Sequence, residues 1–285
     1  MPWFVFGFIS TFFIGIHLVA SKKVLIFEKP LEFLTVLATA QFFILFPIIP
    51  LVKMPGLEAL FLIIFQSIIL TVGLILQLSV LKKLPISTVA PLNNLMPLFL
   101  FSYAFFILDE ALTDDKLLGL VILVIGAYLV EFSIKDVFTP LKKMFTSKLE
   151  QSLIISIMIL AAVAMMDKLI LSYGVSVLSL LFFSQLFLAI TTFTALFMQE
   201  KTKGIKRAYS TKGIWVLFVA LLKNLGNLAY FQAVSLTFVS LVLPLRQLSN
   251  FVAAVIGGGI FKEKHLLLKS IACLVMILGV ILLIR

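Results

Sequence analysis

Residues 213–261 read GIWVLFVALLKNLGNLAYFQAVSLTFVSLVLPLRQLSNFVAAVIGGGIF, and this stretch decides the fold. It contains two apolar runs, 213–236 and 239–261, which are interrupted by only two charged residues, Lys223 and Arg246. Each run supplies the roughly 20 apolar residues that a helix needs to cross a hydrocarbon core about 30 Å thick. The stretch therefore predicts two membrane-spanning helices that fold back on each other at about residue 238.

The rest of the chain has the same character. Apolar residues make up 62% of the sequence and charged residues only 13%, whereas a soluble domain carries roughly 25%. The remaining apolar runs are 3–21, 31–52, 57–81, 86–108, 116–134, 150–172, 176–198 and 266–284. They lack the alternation of barrel strands, so the helix is the only way to satisfy their backbone in lipid. We predict an all-α integral membrane protein with ten transmembrane helices.

Most of the 23 Lys and Arg residues fall in the loops after the first, third, fifth, seventh and ninth runs. Because cytoplasmic loops are enriched in basic residues, this bias predicts that both termini are extracytoplasmic. The net charge of +10 thus reflects membrane orientation, and we expect no nucleic-acid partner. Short loops without an N-glycosylation sequon favour a prokaryotic cell membrane.

The second half of the chain repeats the first. A shift of 153 residues aligns the third to fifth runs with the eighth to tenth without a gap. It pairs Gly73 with Gly226, Ser87 with Ser240, Pro91 with Pro244, Glu110 with Glu263, and Gly126 with Gly279. Each half, 1–138 and 139–285, holds five predicted helices, an odd number, so the second half must enter the membrane from the opposite side. We expect two inverted five-helix repeats in one structural unit, an arrangement that underlies alternating access in many secondary transporters.

Polar residues inside apolar runs are costly in lipid and mark candidate substrate sites. One group lies on the eighth and ninth helices at spacings of three and four, which place its members on common helix faces. It comprises Lys223, Asn227, Tyr230, Arg246 and Asn250. A second group comes from the first repeat and comprises Gln77, Asn93 and Asn94. Folding the hairpin at residue 238 sets Arg246 level with Tyr230.

Other polar residues have simpler interpretations. Gln41, Gln66 and Gln185 are predicted to hydrogen-bond a neighbouring helix. His17 is either a packed, neutral imidazole or a proton relay. Asp167 and Lys168 are expected to neutralise each other at a helix end.

Helix ends and kinks complete the set of expectations. Glu110 and Glu263 are expected to cap the helices that follow them. Pro91 and Pro244 each remove a backbone donor and are predicted to kink the fourth and ninth helices. We hypothesise that these two helices move to gate a central cavity.

Two cations, Lys223 and Arg246, face few buried carboxylates, which favours a substrate that carries a carboxylate or a phosphate. A site for lipophilic cations would need an unpaired intramembrane acid. No nucleotide loop, catalytic triad or metal-binding motif is present. We therefore expect no catalytic residue, no metal site and no cofactor, and we expect a gradient to drive transport.

The two repeats end in related segments. One runs from Pro91 through FILDEALT (106–113) to Gly126, and the other from Pro244 through GIFKE (259–263) to Gly279. In these features the chain resembles the EamA-type ten-helix members of the drug/metabolite transporter superfamily. It departs from them in having Ala272 where the first repeat has Gly119, and in its acidic loop after the fourth helix.

The resemblance implies a secondary transporter of small polar metabolites that works by alternating access. Amino acids or related carboxylates are the favoured substrates. The alternatives are a sugar-phosphate or organophosphate exchanger and a flippase of a lipid-linked phosphate. The expected partners are the small-molecule substrate and membrane lipids.

Overall fold

The computed structural model describes residues 1–25, 29–83, 93, 95–110, 113–129, 147–198 and 203–261, with 275, 278–279 and 281–282. The described residues form nine α-helices and a 3-10 helix, Phe46–Leu51. The α-helices are α1 (Trp3–Leu25), α2 (Pro30–Ile44), α3 (Leu57–Lys83), α4 (Met96–Leu108), α5 (Asp114–Leu129), α6 (Lys148–Ser172), α7 (Val177–Met198), α8 (Lys203–Leu236) and α9 (Val239–Phe261). No strand occurs among these residues, which confirms the all-helical prediction. The tenth predicted helix lies largely outside them.

Five segments are long and apolar enough to cross a membrane, judged by length and composition. They are Trp3–Ser21, Leu57–Lys83, Lys148–Ser172, Val177–Met198 and Ile214–Leu236. Large apolar side chains such as Phe61, Phe193 and Trp215 remain exposed on the outside of the bundle. In water such a surface would be unfavourable, whereas in a bilayer it faces acyl chains. Ten crossings remain a prediction.

Several predicted boundaries differ from the structure. The second run was expected to be one helix over 31–52, but α2 ends at Ile44 and the chain continues as the 3-10 helix. Pro47 and Pro50 lack the amide hydrogens that would continue the α-helical ladder. By contrast, α8 is longer than predicted: it begins at Lys203, ten residues before the apolar run 213–236. Hydropathy marks where the membrane begins, whereas a helix continues into polar sequence until a breaker stops it.

The fourth helix was predicted over 86–108, and the described helix α4 begins at Met96. Residues 84–92 and 94 lie outside the described part of the chain, so the kink at Pro91 and the position of Asn94 are not tested. Pro244 does lie inside α9, as predicted.

Helix α8 contacts α1, α2, α6, α7 and α9, and so ties the bundle together. Helix α1 packs along α8 and α9, while α6 packs along α3 and α4. Helices α2 and α7 pack on each other; α2 also contacts α8, and α7 also contacts α3. The buried apolar core lies mainly between α3, α6, α7, α8 and α9.

Several glycines allow close contact between helices, among them Gly73 and Gly226. A Cβ added to Gly226 would lie 2.7 Å from the side chain of Ile14, and one added to Gly73 would lie 2.8 Å from the side chain of Ile159. A larger residue at either glycine would force the facing isoleucine side chain, or the helix that carries it, to move. Because Gly73 and Gly226 are paired in the sequence repeat, an equivalent Gly–Ile contact joins α3 to α6 and α8 to α1.

The turn between α8 and α9 is held by two charged side chains from other helices. Glu110, buried after α4, accepts hydrogen bonds from the amides of Val239 (3.0 Å) and Ser240 (3.1 Å) and from the Ser240 hydroxyl (2.7 Å). Lys168 of α6 donates to the carbonyls of Val234 (3.0 Å) and Thr237 (2.8 Å). The carboxylate thus caps the N-terminus of α9 and the ammonium caps the C-terminus of α8, each complementing the helix dipole.

Two expectations are therefore wrong. Glu110 does not cap the helix that follows it, because its carboxylate reaches across to α9. Lys168 does not neutralise Asp167, because adjacent residues on a helix point in different directions and its ammonium faces the end of α8.

We expect Glu110→Gln to destabilise the protein by about 1–3 kcal/mol, since a neutral amide replaces a buried charged acceptor of three hydrogen bonds. A thermal melt in detergent should show a clearly lower midpoint. Glu58→Gln is the matched control, because Glu58 is exposed in the first turn of α3. Equal melting of Glu110→Gln and wild type would contradict the capping role.

Candidate functional site

The polar stripes of α8 and α9 meet inside the bundle. The Arg246 Nη2 donates a hydrogen bond of 2.8 Å to the Asn227 Oδ1. The Arg246 guanidinium also lies over the Tyr230 ring, with its central carbon 4.3 Å from the ring centroid, which is a cation–π contact. This contact confirms the prediction that Arg246 and Tyr230 lie at the same depth along the hairpin. The guanidinium has five N–H groups, and the hydrogen bond to Asn227 is the only one that it donates to a described residue, so others can donate to an anion.

Lys223 extends this group by one helical turn along α8. Its side chain is half-buried, and its charge lies within electrostatic range of Arg246. Among the described residues, no hydrogen bond or salt bridge neutralises its ammonium. Two neighbouring cations inside a membrane bundle repel each other, so an anion bound between them would relieve this repulsion.

His17 approaches the same region from α1. It is buried, and its Nδ1 donates a 3.1 Å hydrogen bond to the Val219 carbonyl of α8. Ser21, one turn further along α1, lies 3.3 Å from its Nε2. The ring is thus a packed side chain that links two helices, and its role as a proton relay stays a prediction.

A buried carboxylate adjoins the cations, and the sequence argument did not assign it to the site. Asp167 on α6 is 7% exposed, and its Oδ1 accepts a 2.6 Å hydrogen bond from the Gln66 amide of α3. The Tyr230 hydroxyl lies near this carboxylate but forms no hydrogen bond of normal geometry. Asp167 and Arg246 interact electrostatically without a direct salt bridge. The sequence did contain a signal for Asp167, because an acidic residue inside an apolar run is costly in lipid.

Asn224 was also missed. The side-chain amide of Asn224 donates a 2.8 Å hydrogen bond to the backbone carbonyl of Gln41 in α2. In return, the side-chain amide of Gln41 donates a 3.3 Å hydrogen bond to the Asn224 Oδ1. Gln66 similarly donates to the Val163 carbonyl of α6 at 3.0 Å. The interhelical role predicted for Gln41 and Gln66 is confirmed. Gln185 is buried, and its Oε1 has no partner among the described residues.

The second predicted group is only partly described. The Gln77 amide donates to the Asn93 Oδ1 at 3.2 Å, so these two residues are neighbours. No hydrogen bond or salt bridge between described residues joins this pair to Arg246. Asn250 lies in α9, but its side chain is outside the described part of the structure, as is all of Asn94. No cluster of three or more potential metal ligands is found among the described residues.

Taken together, the described residues define an apolar helical bundle with charged side chains in its interior. Charged residues inside a membrane bundle usually mark a substrate or ion pathway. A family model described as "EamA-like transporter family" matches residues 1–132 and again 150–285. The chain therefore belongs to the EamA-like transporter family, and the resemblance drawn from its sequence is confirmed. The protein is therefore a membrane transporter. The members of this family carry small molecules and are not enzymes.

A solved structure has the same fold. It is described only as "Crystal structure of protein", and it superimposes with a TM-score of 0.74 at 14% sequence identity. The match covers 98% of this chain and 94% of the other. No curated protein sequence matches the chain.

We expect Asn224→Leu and Gln41→Leu each to destabilise the bundle by about 1–3 kcal/mol. Gln41→Leu leaves the buried Asn224 Oδ1 without its donor, and Asn224→Leu leaves the side-chain amide of Gln41 without its acceptor. The double variant should be more stable than the sum of the single losses predicts, since both polar groups are then removed together. Melting of all three variants in detergent measures this coupling. Strictly additive losses would contradict the Asn224–Gln41 pairing.

Proposed function

We propose that the protein is a secondary carrier of small polar metabolites, with amino acids or related carboxylates as favoured substrates. The observation that carries the proposal is the position of Arg246, which Asn227 and Tyr230 orient inside the bundle beside the Lys223 charge. A guanidinium held by a side-chain amide and an aromatic face is preorganised, so little entropy is lost when a carboxylate binds it.

We further propose that the halves 1–138 and 139–285 are inverted repeats that rock around this site. Three observations support this. The family model matches once in each half. The contacts of α1 with α8 and α9 correspond to those of α6 with α3 and α4 when the halves are exchanged. The Gly73–Ile159 and Gly226–Ile14 contacts correspond in the same way. Pro244 of α9 would give one moving helix its hinge, with Pro91 as its counterpart.

The alternatives involve phosphates: a sugar-phosphate or organophosphate exchanger, or a flippase of a lipid-linked phosphate. Arg246 suits a phosphate as well as a carboxylate. The nearby Asp167 carboxylate disfavours a dianion, because like charges repel strongly where water is scarce. A carboxylate that belongs to a small zwitterion carries less net charge and fits this environment better.

The remaining expectations complete the proposal. The protein would lie in a cell membrane of a prokaryote, with both termini on the extracytoplasmic side and a substrate or proton gradient as its energy source. Asn250, Asn93, Asn94 and Gln77 would supply hydrogen bonds to the polar remainder of the substrate. His17 would be available as a proton relay.

A ligand-induced thermal shift on purified protein tests the substrate class, because a ligand that binds the native state raises the melting temperature. The panel contains amino acids, organic acids, sugar phosphates and polyamines. We expect a rise with an anionic or zwitterionic metabolite, and we expect Arg246→Ala and Lys223→Ala to abolish it. Arg246→Lys should restore the effect only in part, because it keeps the charge but loses the planar pair of donors.

The control variant is Lys53→Ala, since Lys53 is exposed between α2 and α3. It should leave the shift unchanged. A rise produced only by polyamines, or a rise that survives both Arg246→Ala and Lys223→Ala, would contradict the proposed site.

Topology is tested by labelling single cysteines in a Cys273→Ser background. Lys53 precedes α3 and Lys83 ends it, and both are exposed. A membrane-impermeant maleimide applied to intact cells should label Lys53→Cys, whereas Lys83→Cys should react only after lysis. The reverse pattern would mean that the termini lie in the cytoplasm.

A further inference from the structure

We propose that Asp167 recognises the amine of the substrate, so that the carrier selects molecules with an ammonium and a carboxylate a few ångströms apart, such as α-amino acids. The proposal rests on the proposed function, in which Arg246 and Lys223 bind the carboxylate. It adds Asp167 of α6, and with it a negative charge, to the recognition site.

The first support is that Asp167 lacks an ion-pair partner. Its neighbour Lys168 is engaged with the carbonyls at the end of α8, and no salt bridge joins Asp167 to a described residue. The Gln66 amide donates a hydrogen bond to the Asp167 Oδ1, but this amide is neutral and leaves the charge of the carboxylate unpaired. A carboxylate buried in a membrane bundle is costly when it has no cation, and such residues usually mark a substrate or ion pathway.

The second support is the position of Asp167 relative to Arg246. Tyr230 lies next to both: the guanidinium covers its ring, and its hydroxyl is near the carboxylate. The two opposite charges therefore lie near the same phenol, within electrostatic range but without direct contact. A ligand with an ammonium at Asp167 and a carboxylate at Arg246 would form an ion pair with each residue and neutralise both charges.

The third support is that the Tyr230 hydroxyl is buried beside the Asp167 carboxylate and forms no hydrogen bond of normal geometry with a described residue. A phenol can both donate and accept one, so an unpaired buried hydroxyl is costly. A ligand that reaches from Arg246 to Asp167 would pass this hydroxyl and could satisfy it.

The surrounding charges leave Asp167 as the acid available to an amine. Glu110 also lies near α8, but its carboxylate is occupied by the N-terminus of α9. The Arg246 guanidinium lies within electrostatic range of Asp167 and would repel an amine. Lys223 lies within electrostatic range of Arg246 and adds a second positive charge to the region. A lone amine would therefore be repelled by the cations, and a lone carboxylate by Asp167.

The experiment compares each α-amino acid with its deaminated counterpart, for example leucine with 4-methylpentanoate and phenylalanine with 3-phenylpropanoate. Binding is measured by the concentration dependence of the thermal shift on purified full-length protein. For wild type we expect a shift with at least one amino acid, and an affinity for its deaminated counterpart that is lower by about tenfold or more.

The key variant is Asp167→Asn, which keeps the shape of the side chain and an oxygen that can accept the Gln66 hydrogen bond. We expect it to weaken binding of the amino acid by about tenfold or more and to leave the deaminated acid unchanged or bound more tightly. Asp115→Asn is the matched control, because Asp115 is exposed at the start of α5. It should preserve the wild-type discrimination.

The outcomes separate this inference from the proposed function. If deaminated acids bind wild type as well as amino acids do, and Arg246→Ala abolishes both, the carboxylate site stands and the amine site is wrong. If Asp167→Asn weakens both ligands equally, Asp167 only positions Arg246, and the inference fails. A panel without any response would count against both. If Asp167→Asn does not fold, Asp167→Glu replaces it, and a displaced carboxylate should still lower the preference for the amino acid.

Discussion

The position of every group in the candidate site depends on the turn between α8 and α9. Arg246 meets Tyr230 and Asn227 only because α9 begins at Val239 and runs back along α8 in a definite register. Glu110 and Lys168 hold that turn from two other helices, by capping the start of α9 and the end of α8. A shift of one residue in α9 would rotate Arg246 by roughly 100° around the helix axis and turn it away from the aromatic ring.

The same requirement, that a polar group in lipid must find its partner within the protein, explains the other interior contacts. Gln41 and Asn224 pair across α2 and α8, and Gln66 links α3 to α6. These contacts hold helices together. Asp167 and Lys223 differ from these residues, because neither has an ion-pair partner among the described residues. The Tyr230 hydroxyl forms no hydrogen bond of normal geometry with a described residue. That difference is the physical basis of our proposal that the substrate binds among these three residues.

The sequence predicted the positions of helices and the residues that share a helix face, because both depend on residues close together in the chain. Apolar runs predicted helices, and helical spacing placed Lys223, Asn227 and Tyr230 on one face. A tight hairpin then predicted that Arg246 reaches Tyr230, which the structure confirms. The predictions for Glu110 and Lys168 were wrong because each was paired with its nearest neighbour in sequence. In a bundle, their nearest neighbours in space come from helices more than sixty residues away.

The sequence by itself determined that this protein is a helical membrane transporter with a repeated chain, since hydropathy and residue spacing are local properties that survive without a fold. Family membership follows from the same information, because the family model matches sequence and not geometry. Only the tertiary structure decided which charges are satisfied and which are not. It moved Lys168 away from Asp167 and brought Asp167 near Tyr230 and Arg246. Such pairings depend on how helices from both halves pack, and no sequence spacing encodes the distance between side chains on different helices.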